Sequence, residues 1–231
     1  MTPRVVNRIL EKLPPEERMR LVSELQETDL SLGDVVYESG GTLDHVCFPT
    51  SCIVSIIYMM EDGAVAEMGL VGNEGMVGVA LFMGGDTVPN RAVVQVAGRA
   101  IRMKASKLQA EFRRGGCLQK LLLRYTQSLI TQISQTAVCN QFHSVEQRLS
   151  RWLLLCHDRV RSDELIMTQE CISNMLGGCR QSVTVAAGRL QDAGVIEYSR
   201  GHIKIMDRKK LEASACECYQ VVRTEFDRLL G

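Results

Sequence analysis

The sequence predicts an α+β protein in three parts: an N-terminal antiparallel β-roll of the jelly-roll kind, a long helix, and a C-terminal winged helix-turn-helix. Short β-rich stretches separated by Gly, Pro, Asp and Ser fill residues 33–98. Residues 117–144 contain neither Gly nor Pro, and the pattern that follows is helix, helix, tight turn, helix and hairpin. We therefore place the domain boundaries at 1–116, 117–143 and 144–231.

The N-terminal part combines two short helices with the β-roll. Residues 3–27 carry apolar side chains at helical spacing that Pro14 and Pro15 interrupt, which predicts two helices flanking the strands. The segment 61–63, Glu-Asp-Gly, separates two apolar runs and predicts a hairpin turn. A jelly roll or a small barrel would leave few open sheet edges.

The long helix would extend about 40 Å at about 1.5 Å per residue. Four of its apolar positions, Leu118, Leu122, Tyr125 and Leu129, are separated by four, three and four residues, as in a coiled coil. This seam could pack on its own domain or on a second copy of the chain. We favour a homodimer, because so long a helix has little of its own chain to cover both faces.

Charge and composition restrict the classes of function. The net charge is zero, but residues 1–116 hold 12 Lys and Arg against 15 Asp and Glu, or −3, while residues 148–210 hold 11 against 7, or +4. A polyanion would therefore meet the later segment. No apolar run is long enough to span a bilayer, and the N-terminus has no signal-peptide pattern, so we expect a cytoplasmic protein without membrane contact. Nine cysteines are then expected to remain thiols.

The C-terminal pattern predicts a helix-turn-helix. Thr168 is a plausible N-cap of its first helix, and Gly177-Gly178 would end that helix. In the second helix Val183, Ala187 and Leu190 share the inward face.

The start of the second helix carries the side chains that would read DNA. Arg180, Gln181 and Thr184 lie on its outward face, where a recognition helix enters the major groove. Arg can bond guanine O6 and N7, Gln can bond adenine N6 and N7, and Ser182 could hold a phosphate. A surface Arg is ordinarily only solvated, but the glycine turn, the helix pair and the hairpin together favour double-stranded DNA as the ligand.

The hairpin at 196–206 would form the wing. Its tip carries Arg200 and His202, which would reach the adjacent DNA backbone. Further cations that would extend this positive surface are Lys204, Arg208, Lys209 and Lys210.

The stretch TQECISNMLGGCRQSVTVAAGRLQDAGVI resembles the helix-turn-helix signature of the Crp/Fnr family of transcription regulators. Upstream, GDVVYESG, FPTSC, VGNEGMVG and VEQRLSRWL are similar in order and spacing to that family's β-roll and dimer helix. The resemblance implies a homodimer that binds an imperfect palindrome and contacts RNA polymerase. Its β-roll would either sense a small-molecule effector or sense nothing and leave the protein constitutively active. Many relatives carry a second base-reading Arg where this chain has Val185, so its half-site should differ. Thr184 and Val185 could instead offer methyl groups to thymine.

The resemblance also argues against cAMP as the effector. Family members that bind cAMP carry Gly-Glu and Arg-Ser pairs where this chain has Gly78-Val79 and Asn90-Arg91. The ribose carboxylate is thus absent, and an Arg displaced by one strand position faces the other side of the sheet. A one-residue shift in the loop at 84–89 would return Arg91 to the phosphate. The candidate effector pocket comprises Gly78, Val79, Asn90, Arg91 and Ser134.

The cysteines and histidines indicate no metal centre. No cysteine precedes Cys47, so the N-terminal ligand set of the family's iron–sulfur members is absent. A haem on His45, His143 or His157 is not predicted either, because an isolated His is usually structural.

Cys179 is the thiol that we single out. It precedes Arg180 at the start of the recognition helix, where the helix dipole and the cation both favour thiolate. Oxidation there would weaken DNA binding; the alternative is a small capping residue.

Two other functional classes compete with a regulator. An enzyme is disfavoured, because the chain lacks a G-x-S-x-G elbow, a Walker loop and an H-E-x-x-H motif. The second alternative is a ligand-binding β-roll whose C-terminal helices contact only proteins. Arg180 and the basic wing favour DNA binding over it.

Overall fold

The computed structural model describes residues 7–160, 162–167, 169–176 and 179–231. Within them no helix is both long and apolar enough to cross a membrane.

Two short helices open the described chain, as predicted. They are α1 (Arg8–Glu11) and α2 (Pro15–Val22). The Asn7 side chain caps α1 by accepting bonds from the amides of Ile9 and Leu10. The same side chain donates to the carbonyls of Pro49 (3.0 Å) and Gly75 (2.8 Å). This buried amide therefore joins the first helix to the β domain.

Two antiparallel sheets form the β domain and confirm the predicted class. Their strands are β1 (Gln26–Leu30), β2 (Val35–Tyr37), β3 (His45–Pro49), β4 (Ile53–Met59), β5 (Val65–Val71), β6 (Arg91–Val96) and β7 (Gly98–Lys104). One sheet has the order β1-β7-β3 and the other β2-β6-β4-β5. The predicted turn at 61–63 joins β4 to β5, with Gly63 at φ +84°. Strand β1 was not predicted: it begins at the end of the stretch 3–27 predicted to be helical and exists because it pairs along its length with β7.

Helix α5 (Cys117–Phe142) is the predicted long helix, but its seam faces its own chain. The side chains of Leu118, Leu122, Tyr125 and Leu129 are all buried within one chain. The prediction that these residues pair with a second copy is therefore wrong, and the alternative, packing on its own domain, is correct. Two parts of the chain cover the seam. The C-terminal helix α10 (Cys218–Leu230) folds back along α5 and places Phe226 against Tyr125, with ring centroids 6.5 Å apart, and the β domain brings Gly69 to Leu129 and Gly75 to Tyr125.

The C-terminal part has the predicted order of elements. It contains α6 (Val145–Arg159), β8 (Glu164–Ile166), α7 (Gln169–Leu176), α8 (Arg180–Asp192), β9 (Ile196–Ser199), β10 (His202–Ile205) and α9 (Arg208–Ser214). The two remaining helices, α3 (Ala80–Met83) and α4 (Ala105–Arg114), belong to the β domain. Strand β8, which the sequence analysis did not predict, pairs with β10 and gives a sheet of order β8-β10-β9.

A buried polar network joins the β domain to the C-terminal part. Arg159 on α6 donates from Nε to Glu74 Oε1 (2.8 Å) and from Nη2 to Gln132 Oε1 on α5 (2.7 Å). Gln132 in turn donates to the carbonyl of Leu70 on β5 (3.0 Å). A Cβ at Gly72 would lie 2.6 Å from Arg159 Cγ, so the loop after β5 needs glycine for this approach. Three elements thus share one charged centre inside a continuous core.

A second buried acid lies on β5 in the same interface. Glu67 Oε1 accepts a bond from Trp152 Nε1 on α6 (2.9 Å), and Oε2 accepts one from Ser55 Oγ (2.7 Å). Burial raises the pKa of Glu67 to about 7, although these two bonds and the nearby charges of Arg151 and Arg159 oppose the shift.

We expect Glu67→Gln to flatten the pH dependence of stability. The folded chain holds the Glu67 proton to a higher pH than the unfolded chain, whose carboxyl titrates near 4.5. The free energy of unfolding should therefore fall by a few kcal/mol as pH rises from about 4.5 to about 7. Gln mimics the protonated acid, so urea unfolding of the variant should lack this slope.

Glu27→Gln, on the exposed face of β1, is the matched control for that experiment. It should retain the wild-type slope. An unchanged slope in Glu67→Gln would show that other groups cause the dependence.

Candidate nucleic-acid interface

Helix α8 is amphipathic in the predicted orientation. It begins after Cys179, whose backbone is extended (φ −73°, ψ 149°). Val183, Ala187 and Leu190 are buried as predicted, together with Ala186. Because α8 packs on α6 and α7, the opposite side of the helix is left open to solvent.

The open side carries the predicted reading residues. Arg180, Gln181, Thr184 and Val185 are exposed, and Ser182 is half-buried. Thr184 Oγ1 donates to the carbonyl of Arg180 (2.9 Å), so its hydroxyl keeps only its acceptor capacity for a ligand. Val185, half exposed, presents an apolar side chain on this surface.

Cys179 contacts one of these residues. Its Sγ lies 3.0 Å from Ser182 Oγ, and this hydrogen bond lowers the pKa of the exposed thiol. Ser182 would have to exchange this bond, or share its oxygen, to hold a phosphate. The oxidation of Cys179 stays a prediction.

The β9–β10 hairpin has the geometry of a tight wing. Arg200 (φ +49°) and Gly201 (φ +84°) are both left-handed, which matches the two-residue turn that suits the strand twist. Arg200 is exposed at the tip. His202 faces Glu164 on β8, with Nδ1 2.8 Å from Oε1, so this acid competes with DNA for the imidazole.

The structure corrects the predicted basic surface at one position. Lys204, Lys209 and Lys210 are exposed. Arg208 instead bonds from Nη2 to Asp158 Oδ1 (2.6 Å) and from Nε to Glu212 Oε1 (3.1 Å). Its charge is neutralised within the protein, so it does not extend the basic surface.

Thr168 and Gly177-Gly178, predicted as N-cap and turn, lie outside the described residues.

The candidate effector residues lie in the β domain and on α5. Gly78 (φ +109°) and Val79 precede α3. Asn90 Oδ1 accepts a bond from the Tyr37 hydroxyl (2.6 Å), and Arg91 Nη2 pairs with Glu38 Oε1 (2.9 Å). A phosphate at Arg91 would thus compete with a carboxylate. Ser134 is exposed on the outer side of α5. These residues stay a prediction.

Residues 147–214 match the family model of the Crp-like helix-turn-helix domain. This part of the chain therefore belongs to the family of Crp-like helix-turn-helix domains. Its helix-turn-helix is a DNA-binding domain formed by α7 and α8, with the β9–β10 hairpin as the wing.

Solved structures with the same fold cover most of this chain. FixK2 from Bradyrhizobium japonicum superposes with a TM-score of 0.71 at 15% identity, covering 83% of this chain and 98% of that one. The c-di-GMP responsive regulator CLP of Xanthomonas campestris gives 0.67 at 16% identity, covering 84% and 100%. A CRP/FNR-family transcriptional regulator of Thermus thermophilus gives 0.65 at 19%, covering 82% and 98%. A search of curated protein sequences finds no match.

Proposed function

We propose that this protein is a Crp/Fnr-family transcription regulator that binds a palindromic DNA site as a homodimer and controls transcription from it. The observation that carries the proposal is the first turn of α8, where Arg180 and Gln181 are exposed above a buried apolar face. Exposed Arg200 at the wing tip provides a second cation for the adjacent backbone.

The outer face of α5 supports the homodimer. Leu123, Ile130 and Ala137 are exposed and separated by seven residues each. They lie on one side of the helix, and Val138 and Phe142 continue the apolar surface toward its C-terminal end. Between them Gln127, Ser134 and Gln141 occupy the intervening positions of a four-three repeat. A second copy of α5 would cover this stripe in a parallel pair and place two α8 helices on the two half-sites.

The exposed residues of α8 and the wing would contact different parts of the DNA according to their chemistry. Arg180 would bond guanine and Gln181 adenine, whereas Thr184 and Val185 would contact thymine methyl groups. Ser182, Arg200 and His202 would contact phosphates.

The remaining parts of the proposal concern partners and signals. We infer that the protein acts in the cytoplasm, is not an enzyme, contacts RNA polymerase and responds to an effector other than cAMP. The Arg91–Glu38 ion pair supports the last point, because a cyclic phosphate would have to displace a carboxylate. Cys179 would add sensitivity to oxidants, since its thiol is exposed and its pKa is lowered.

Arg180→Ala is expected to weaken binding to the preferred site by roughly 1–3 kcal/mol and to relax the preference at one base pair per half-site. The site is first selected from random duplexes with the wild-type protein, and affinities are then measured by fluorescence anisotropy. Arg200→Ala is the matched control. Loss of a phosphate contact should weaken binding to all DNA sequences equally and should reduce the slope of log affinity against log salt concentration by about one.

Failure to enrich a palindrome would favour the other candidate, a ligand-binding β-roll whose C-terminal helices contact proteins. Unchanged binding by Arg180→Ala would instead refute the role of that residue while leaving DNA binding intact.

A further inference from the structure

Four metal-ligating side chains from distant parts of the sequence meet at one end of α5. Cys139 and His143 stand one helical turn apart at the C-terminal end of that helix. Cys216 and Cys218 come from the junction of α9 and α10. The four ligand atoms all lie within 4.8 Å of one another.

The distances match a single tetrahedral ion. Cys139 Sγ lies 3.4 Å from Cys216 Sγ, and Cys218 Sγ lies 3.6 Å from His143 Nδ1. With metal–sulfur and metal–nitrogen bonds of about 2.3 and 2.0 Å, neighbouring ligands of tetrahedral zinc are about 3.8 Å (S to S) and about 3.5 Å (S to N) apart. A cluster of several iron atoms would need a wider cage of thiolates.

The histidine is already oriented as a metal ligand. While Nδ1 faces Cys218, Nε2 lies 3.2 Å from Glu217 Oε2. In metal sites the second ring nitrogen of a ligating His commonly donates to a carboxylate, which sets the tautomer and the ring orientation. Glu217 stands between the two cysteines in sequence, so one short segment supplies both ligands and this orienting acid.

The surroundings suit a centre with negative charge. Cys139, Cys216 and Cys218 are buried and form a cluster of their own, apart from the main core. Two arginines on α6 act electrostatically on it, since Arg148 interacts with Cys139, and Arg151 with Cys139 and Cys218. Buried guanidinium nitrogens of both, Nε and Nη2 of Arg148 and Nε of Arg151, have no hydrogen-bond partner within the described part of the chain. A divalent ion with three thiolates has a net charge of −1, which would offset this buried positive charge.

We propose that Cys139, His143, Cys216 and Cys218 bind one zinc-type divalent ion in tetrahedral geometry. The donor set, three thiolates and an imidazole, is that of closed structural zinc sites and disfavours the hard cations Mg²⁺ and Ca²⁺. No open coordination position is left, so the ion has a structural or regulatory role rather than a catalytic one.

The position of the site gives this role a physical basis. His143 is the C-cap of α5, and the next residue, Ser144, caps α6. The ion would therefore join the junction between the proposed dimer helix and the DNA-binding part to the start of α10. Without the ion the junction would lose this link to α10, so DNA binding would depend on whether the metal is bound. The metal site itself does not depend on the proposed function.

The test is metal binding by the full chain, purified under reducing, oxygen-free conditions. Elemental analysis should find one zinc ion per chain. Titration of the metal-free protein with Co²⁺ should give the visible absorption of a tetrahedral site and a sulfur-to-cobalt charge-transfer band. Cys139→Ser and Cys218→Ser should weaken binding at least 100-fold in a chelator competition. His143→Cys should keep the ion and give a stronger charge-transfer band, because Cys can replace His as a zinc ligand.

Cys117→Ser, at the opposite end of α5, is the matched control and should bind Co²⁺ as the wild type does. Circular dichroism checks that each variant folds. Three results would overturn the proposal: no tetrahedral Co²⁺ spectrum in the reduced wild type, iron and sulfide at this site, or a Cys139–Cys216 disulfide in place of two reactive thiols. Wild-type affinity in both serine variants would contradict it equally.

Discussion

Replacing Ile130 by Glu is expected to break the proposed homodimer into monomers and to lower the affinity for the palindromic site roughly 100-fold or more. Ile130 is 54% exposed in the middle of the outer stripe of α5. In a parallel helix pair, two Glu side chains would face each other at the same level, where each is deprived of water. Each DNA-binding part would then meet its half-site independently, without the effective concentration that the partner provides.

Sedimentation velocity and anisotropy with the selected duplex measure both consequences. Met59→Glu is the matched control, because Met59 is a similarly exposed apolar residue (60%) on the β4–β5 hairpin, far along the chain from α5. It should leave the dimer and the affinity unchanged. If Ile130→Glu stays dimeric at low micromolar concentration, the outer face of α5 is not the interface.

Arg159→Ala is expected to reduce the free energy of unfolding by about 3–5 kcal/mol. The change leaves the buried carboxylate of Glu74 without its cation and removes a donor from Gln132. It also removes the guanidinium that stands 5.6 Å from the ring centre of Phe226. Urea unfolding monitored by Trp152 fluorescence measures the loss, because Trp152 lies on α6 in the same interface.

A second variant separates the contribution of the unpaired charge to the loss of stability from the contribution of the lost packing. Arg159→Met combined with Glu74→Gln removes both charges, keeps most of the side-chain volume, and should recover at least half of the loss. Arg223→Ala is the control: its pairs with Glu212 (3.6 Å) and Asp227 (4.0 Å) are partly exposed, so the expected change is below about 1 kcal/mol. Equal losses in Arg159→Ala and the double variant would show that packing, rather than the unpaired charge, dominates.

Elements whose pattern repeats along a stretch of chain were predictable, and elements that depend on a partner were not. Helix α8 was found with its inward and outward residues, because a helix repeats every 3.6 residues and its buried face shows in the sequence. Strand β1, with the sequence QETDL, has no such signal: it is a polar edge strand that exists because β7 supplies its hydrogen bonds. The same holds for β8, a three-residue strand held by β10.

The same distinction between local patterns and distant partners applies to the site residues. Arg180 and Gln181 were identified because the chemistry of base reading lies within two consecutive residues of one helix. His202 was predicted to contact DNA and Arg208 to extend the basic surface, and the sequence did not show that Glu164 and Asp158 face them from elements 38 and 50 residues away. Spacing alone cannot reveal such partners, since the acids come from separate elements.

The sequence by itself determined that a β-rich domain, a helix of about seven turns and a winged helix-turn-helix follow one another, and which side chains the recognition helix presents. Only the tertiary structure decided which side of α5 remains open, because α10 and the β domain together cover the seam that periodicity had indicated and leave a second apolar stripe exposed. It also brought Cys139 to Cys216 across 77 residues. The physical reason is that periodicity reports which face of an element is apolar, whereas the partner of that face depends on the path of the whole chain.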